Sequence, residues 1–272
     1  MLKVIQESFK ITNENIILAT PLIFFSIISS LYLMFSSGGN KIGLIFSAIL
    51  FFLMLCAFAS GWFMMVTKAV KDPEIEDKAL LAEFPAGVGE YFLTIIIMII
   101  KIFILSMVIM ILAIIAGYKF IGDAGISYAQ IVSATSSIES MKVFADSLTN
   151  EQLLKINLWN ILLFFTIMFT NFIIMFYPAS IFFKTKNPFK AFLQALKDTF
   201  SHNFFKNIGL FLLIFLIYMI ISTVTALFGK NIIVHFLVTL INFYYITFVV
   251  VLIFNYYYSN FVKIGSNVDT TV

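Results

Sequence analysis

The sequence predicts an all-α, polytopic membrane protein with six transmembrane helices and amphipathic helices lying in the plane of the cytoplasmic surface. Three observations carry that prediction. Of the 272 residues, 61% are hydrophobic and 11% charged, against roughly 25% charged in a soluble domain, and the mean hydropathy is +1.04. Six apolar runs are each long enough to cross a hydrocarbon core of about 30 Å. Between some of these runs stand segments in which an apolar face and a lysine-bearing face alternate at helical spacing.

Taken in order, residues 1–15 place Leu2, Ile5 and Phe9 on one face and Lys3, Gln6, Glu7 and Lys10 on another, which makes a short interfacial helix. The first apolar run starts only after Asn15, follows Glu7 and Glu14 and lacks a small-x-small cleavage pattern, so it reads as a span and not as a cleavable signal. It covers about Ile16 to Phe35, with Pro21 in its first turns, where proline is tolerated. A tight Ser36-Ser37-Gly38-Gly39-Asn40-Lys41 connection leads to a second span, about Ile42 to Thr67, near whose end Trp62 reads as an interfacial anchor.

Asp72-Pro73-Glu74 has the cap, proline and acidic first turn of a helix start. Ile75, Ala79, Leu80 and Ala82 would form a short interfacial helix ended by Pro85 and Gly87-Val88-Gly89, ahead of a third span from about Tyr91 to Gly117. A polar external insertion, about 118–156, follows. Within it Ile138, Met141, Phe144, Ala145 and Leu148 recur at helical spacing, and Thr149-Asn150-Glu151-Gln152 is a capped start leading into the fourth span. That span, about Asn157 to Phe183, contains Tyr177-Pro178, a predicted kink.

The segment 187–206 orients the rest. Asn187 is an N-cap residue and Pro188 suits the first helical position, where its missing N–H costs nothing. Phe189, Phe192, Leu193, Leu196, Phe200 and Phe204 fall on one stripe; Lys190, Gln194, Lys197, Asp198 and Ser201 fall on the other. A fifth span, about Ile208 to Phe228, a Gly229-Lys230-Asn231 turn and a sixth span, about Val234 to Tyr258, complete the chain. Tyr256-Tyr257-Tyr258 reads as an aromatic belt at the bilayer surface, and the last dozen residues as frayed.

All seventeen basic residues are lysines, which removes bidentate guanidinium recognition and leaves ammonium point charges. Eleven of them fall in the N-terminus, the second and fourth loops and the C-terminus, and five on the opposite side. The positive-inside rule therefore puts both termini in the cytoplasm of a multi-pass protein of the cell (inner) membrane. A net charge of +3 argues against nucleic acid as a partner. The heavy use of Phe, Ile, Asn and Lys suits an AT-rich bacterial genome. Cys56, the one cysteine, sits in an apolar run and reads as a small buried hydrophobe.

The 272 residues form a single integral membrane domain in which a threefold helix–span–span repeat is a candidate, with units of about 1–67, 68–183 and 184–272. Pro73 precedes Leu93 by 20 residues, as Pro188 precedes Ile208; Trp62 and Tyr177 each stand eleven residues before their proline; Asn15-Ile16 resembles Asn207-Ile208. The competing explanation is that any six-span protein carries positive segments before alternate spans.

Chemistry is sparsely supplied. The acids lie in loops and termini, which argues against transport driven through a membrane carboxylate. Lys101 is the one charge within a predicted span: either it snorkels to the headgroups, or it faces the interior, pairs with Asn171 or Asn242 and holds an anion. Those two intramembrane asparagines otherwise serve as interhelical hydrogen-bond partners. Asp72, Glu74, Glu76, Asp77, Glu83 and Glu90 read as a solvated face more readily than as a cation site. Lys186, Lys190 and Lys197 are the candidate lipid- or anion-binding residues, each worth about 1 kcal/mol near an anionic surface. His202 and His235 fall on opposite sides, and no Ser-His-Asp, zinc-ligand or phosphate-loop pattern occurs. No catalytic residue, metal site or cofactor is expected, and the chain reads as a non-enzyme.

The lysine-flanked Asn187-Pro188, followed by Ala191, Ala195-Leu196, Phe200, Asn203-Phe204 and Asn207-Ile208, resembles a pattern in bacterial YciC-like six-span proteins. It also looks like the membrane domain fused to some glycerophosphodiester phosphodiesterases. The resemblance covers about twenty residues in motif and the whole chain in layout. It implies an interfacial helix ahead of a span and carries over no catalytic residue. Membrane lipids, a membrane-protein partner or a second copy are the expected partners. The alternative is a transport component such as an ABC-type permease subunit, for which Ala195-Leu196-Lys197-Asp198 vaguely resembles a coupling helix without its glycine.

Overall fold

Length and hydropathy place the helices much where the sequence puts them, in a computed structural model that describes residues 1–36, 41–228 and 232–263. In order these are α1 (Leu2–Glu14), a 3₁₀ turn (Ile16–Ala19), α2 (Thr20–Ser36), α3 (Lys41–Lys71), α4 (Asp77–Phe120), α5 (Tyr128–Ala134), α6 (Ile138–Ser147), α7 (Asn150–Ile174), α8 (Tyr177–Phe183), α9 (Pro188–Thr199), α10 (Phe204–Phe228) and α11 (Ile232–Tyr257), with a π turn (Tyr258–Val262). No strand occurs among the described residues. The tight connection at 37–40, the Gly229-Lys230-Asn231 turn and the chain beyond Lys263 lie outside them.

Among the described residues six helical stretches are long and apolar enough to cross a membrane: Ile16–Met34, Gly43–Lys71, Asp77–Phe120, Asn150–Phe183, Phe204–Leu227 and Val234–Val262. Only 6% of the apolar window of Phe204–Leu227 and 11% of that of Asp77–Phe120 is buried in protein. Apolar surface on that scale is tolerated in hydrocarbon and not in water. The chain is a multi-pass membrane protein.

The contacts divide into two units whose boundary falls within α4 and α7: Met1–Ile100 with the chain from Phe172 onward, and Lys101–Asn171. The first unit buries its core where helix ends meet. Leu18, Met65, Leu80, Ile95, Phe176, Tyr177, Ile181, Leu210, Leu252 and Phe254 are all essentially inaccessible. Aromatic rings knit them: Tyr91 stacks on Phe182 at 4.2 Å, and Phe63 lies 5.5 Å from Phe254. Cys56 is buried, as expected.

Two sequence expectations fail here. Pro85 and Gly87-Val88-Gly89 do not end a short helix, because α4 runs through them for 44 residues, about 66 Å. Gly87 and Gly61 are spacers between helices, while Gly89 faces open space: a Cβ on Gly87 would lie 2.5 Å from that of Met64 and 2.7 Å from the Ser60 carbonyl, and one on Gly61 would meet Phe84. Close approach without side chains is what membrane helix pairs use glycine for. Nor is Trp62 a surface anchor. It is buried, and its indole N–H donates to the Leu18 carbonyl at 2.8 Å.

In the second unit, left-handed Gly122 and Gly125 turn the chain after α4, and Trp159 donates to the Gly122 carbonyl at 3.1 Å. Gly117 has no side chain where one would strike the Trp159 ring at 2.3 Å. α6 matches the amphipathic helix expected there and is capped by Ser137. Thr149 and Gln152 form the expected reciprocal cap, with Gln152 N donating to Thr149 Oγ1 at 3.3 Å and Thr149 N to Gln152 Oε1 at 3.0 Å. α7 consequently starts at Asn150, ahead of the predicted Asn157. The predicted kink is real: α7 stops at Ile174 and α8 begins at Tyr177.

Candidate functional site: the α8–α11 polar knot and the three-faced helix

Asn187 caps α9 as its position demands, its Oδ1 accepting from Phe189 N at 2.9 Å and Lys190 N at 3.2 Å. Pro188 follows at the first helical position, and its carbonyl accepts from the Tyr177 hydroxyl at 2.8 Å. The helix then presents three faces, where sequence periodicity suggested two. Ala191, Ala195, Asp198 and Thr199 are buried against protein. Phe189, Leu193 and Phe200 are more than half exposed. Lys190 and Lys197 are exposed on the third side. Small residues let the helix sit close to the spans beneath it; the bulky ones keep more than half of their surface outside the protein, with Phe200 also stacked on Phe204.

Asp198 is the correction with the largest consequence. The sequence placed it on the solvated face, yet it is 6% exposed and fully engaged. Its Oδ2 accepts from Lys184 Nζ at 2.9 Å and from the Tyr257 hydroxyl at 2.6 Å, and its Oδ1 from Gln194 Nε2 at 2.9 Å. Lys184 also sits over the Tyr257 ring, 5.3 Å from its centroid. A buried carboxylate is tolerable when its lone pairs are filled in this way. One turn into α10, Asn207 closes the knot. Its Nδ2 donates to the Asp198 and Thr199 carbonyls at 3.1 and 2.9 Å, while its Oδ1 accepts from the Tyr256 hydroxyl at 2.8 Å. Carbonyls that would be orphaned at the end of α9 are thereby satisfied. Tyr256 and Tyr257 are therefore buried structural groups and not a bilayer belt; their phenols reach polar partners inside the protein.

The first helix repeats the scheme in neutral form. Ser8, Ile11 and Thr12 are buried, Leu2 and Phe9 lie outward, and Lys3 and Lys10 are exposed. Asn15 Nδ2 donates to the Ile11 carbonyl at 3.0 Å and to that of Pro73 at 3.1 Å. Asn255 Nδ2 in α11 donates to Ser8 Oγ at 3.0 Å. Leu18 and Leu210, each three residues beyond its asparagine, are both fully buried.

Of the residues singled out from sequence, Lys186, Lys190 and Lys197 come together on the α8–α9 connection and α9. Lys186 is ion-paired with Glu90 and lies 5.4 Å from the Tyr91 ring centroid; Lys190 and Lys197 face outward. Lys101 is half-buried within α4 and Asn171 is exposed in α7, both in the second unit; Asn242 is half-buried in α11, in the first. Sequence reasoning missed Asp198, Lys184, Tyr256 and Tyr257 as one assembly. It noticed Asn15-Ile16 and Asn207-Ile208 as alike without seeing that both amides satisfy carbonyls at the end of the preceding helix.

Comparison with protein-family models, with curated proteins and with solved structures finds no significant match.

Proposed function

We propose that this chain is a non-enzymatic protein of a bacterial inner membrane, with both termini cytoplasmic, that engages anionic lipid or a membrane partner through α1 and α9 lying in the plane of the cytoplasmic leaflet. The observation that supports this reading is the three-way division of α9. A helix whose small face is fastened to protein, whose Phe189, Leu193 and Phe200 are more than half exposed and whose Lys190 and Lys197 are exposed on a third side has the environments of a helix at a bilayer surface: protein, hydrocarbon and headgroup. The excess of lysines in the segments around α1, α3–α4, α8–α9 and Lys263 supports the orientation. The matching asparagine latches of α1 and α9 support descent of at least these two segments from one repeated unit, in keeping with the YciC-like layout.

Single cysteines along 189–200, in an otherwise cysteine-free Cys56→Ala protein reconstituted in vesicles, test it. Labels at Phe189, Leu193 and Phe200 are expected to be quenched by lipid-borne quenchers and those at Lys190 and Lys197 by aqueous ones. Ala191 and Ala195 should resist both. Uniform aqueous quenching overturns the reading.

A further inference from the structure

A second site lies apart from α9. Between α1, the end of α3 and the residues that close α11 is a cavity of about 310 Å³, room for about ten water-sized molecules. Lysines from three separate elements line it: Lys10 of α1, Lys71 at the last position of α3, and Lys263 beyond the π turn. Glu7 is the one acid in its wall among the described residues, and it stands 4.0 Å from Lys3. Asp72 and Glu74 of the neighbouring turn are exposed and outside the lining.

The electrostatic balance is positive. Among the described lining residues three are lysines and one is an acid, and the carbonyl end of α3 contributes about half a negative charge. Lys10 pairs with Glu14 at 3.6 Å on the surface, a contact of about 0–1 kcal/mol that a better anion can displace. Lys71 rests over the Phe183 ring, 5.4 Å from its centroid, so its position is set before any ligand arrives. The Ser259 hydroxyl and Tyr258 line the same cavity and add polar groups to the wall. By contrast, the larger apolar groove of about 550 Å³ walled by Phe24, Phe25, Phe58 and Phe84 has no charged side chain in its lining to orient a polar ligand.

We propose that the Lys10–Lys71–Lys263 cavity binds a phosphate group, carried by an anionic lipid or by a small soluble phosphate. The proposal rests on the reading that this end of the protein faces anionic lipid, but it assigns the binding to residues other than those of α9.

The full-length protein in phosphatidylcholine nanodiscs doped with phosphatidylglycerol tests it, with bound phosphatidylglycerol counted by native mass spectrometry. A parallel series without anionic lipid is titrated with inorganic phosphate and followed by ³¹P line broadening. Lys71→Gln and Lys263→Gln are each expected to weaken binding about fivefold, and Lys71→Arg to retain it. Lys142→Gln, with the same charge change at an exposed position of α6, is expected to have no such effect. Loss of phosphatidylglycerol alone identifies a lipid headgroup as the source; broadening by inorganic phosphate that the lysine variants abolish identifies a soluble phosphate. Equal losses from Lys142→Gln, or no binding in either series, overturn the cavity. If Lys190→Gln/Lys197→Gln alone sheds lipid and no cavity variant lowers the phosphate broadening, the cavity is refuted and the α9 reading stands; if no lysine variant sheds lipid or lowers the broadening, both fall.

Discussion

α1 and α9 solve one problem with different chemistry. Each is a short amphipathic helix laid against the spans through a small-residue face, and each ends where an asparagine amide takes up its last carbonyls. α1 is held by neutral groups: Ser8 accepts from Asn255, and Asn13 Oδ1 from the Tyr244 hydroxyl at 2.7 Å. α9 is held by a charge pair as well, the buried Asp198 with the partly exposed Lys184, roofed by Tyr257. A buried ion pair adds little net stability over an apolar pair of the same shape, yet it is severe to break. The difference teaches that α9 is the helix whose position the protein specifies most stringently.

The largest expected effect follows from that contrast. Asp198→Ala leaves the buried Tyr257 hydroxyl without its acceptor and Lys184, partly exposed, without its counter-ion; it should cost about 3 kcal/mol, the low end for a broken buried pair, seen as a lowered unfolding midpoint of the full-length protein in lipid nanodiscs. Ser8→Ala, its counterpart in α1, should cost about 1 kcal/mol. Equal losses for the two would erase the distinction between the helices.

Next in size are the asparagines. Asn207→Ala leaves the Thr199 carbonyl and the Tyr256 hydroxyl without their partner, at about 1–3 kcal/mol for each buried group orphaned, while the Asp198 carbonyl keeps the Ser201 N–H. Asn15→Ala removes the partner of the part-buried Pro73 carbonyl while the Ile11 carbonyl keeps the backbone N–H of residue 15, and should lower the same midpoint less. A reversed order would mean that the α1 junction, not the knot, anchors this end of the first unit.

How much of this the sequence disclosed depends on the reach of each interaction. The cap at Asn187 was legible because donor and acceptor stand two and three residues apart, and the Thr149–Gln152 cap for the same reason. The six spans were legible because length and hydropathy are local sums. Asp198 was not, since Tyr257 lies 59 residues away and nothing in the periodicity of α9 reports it. Trp62 and Tyr256 were misassigned for a related reason: an aromatic with a polar edge near a span end suits the bilayer surface and a buried hydrogen bond equally well, and Leu18 and Asn207 decide between them from 44 and 49 residues off. Pro85 and Gly87 were read by rules for helices in water. Inside a long apolar helix the same residues shape its contact with Ser60, Gly61 and Met64.

On the reading proposed for α9, a two-colour division of amphipathicity falls short at a membrane. In water, large apolar side chains go inward; beside lipid they have a second apolar solvent, so the inward face can be left to alanine and threonine and the outward one to phenylalanine and leucine. The smallest predicted effects test that inversion. Phe200→Ser leaves the knot intact. In detergent-free nanodiscs it should shift the unfolding midpoint by less than Asn187→Ala, which removes a cap worth about 1 kcal/mol. The label placed next to it, at Leu193, should nevertheless become less accessible to lipid-borne quenchers as the bulky face loses its hold on the bilayer. The cap variant frays the first turn and leaves the Leu193 label in lipid. If Phe200→Ser instead destabilises as much as Asp198→Ala, its ring is core rather than lipid-facing, and the three-faced description of α9 is wrong.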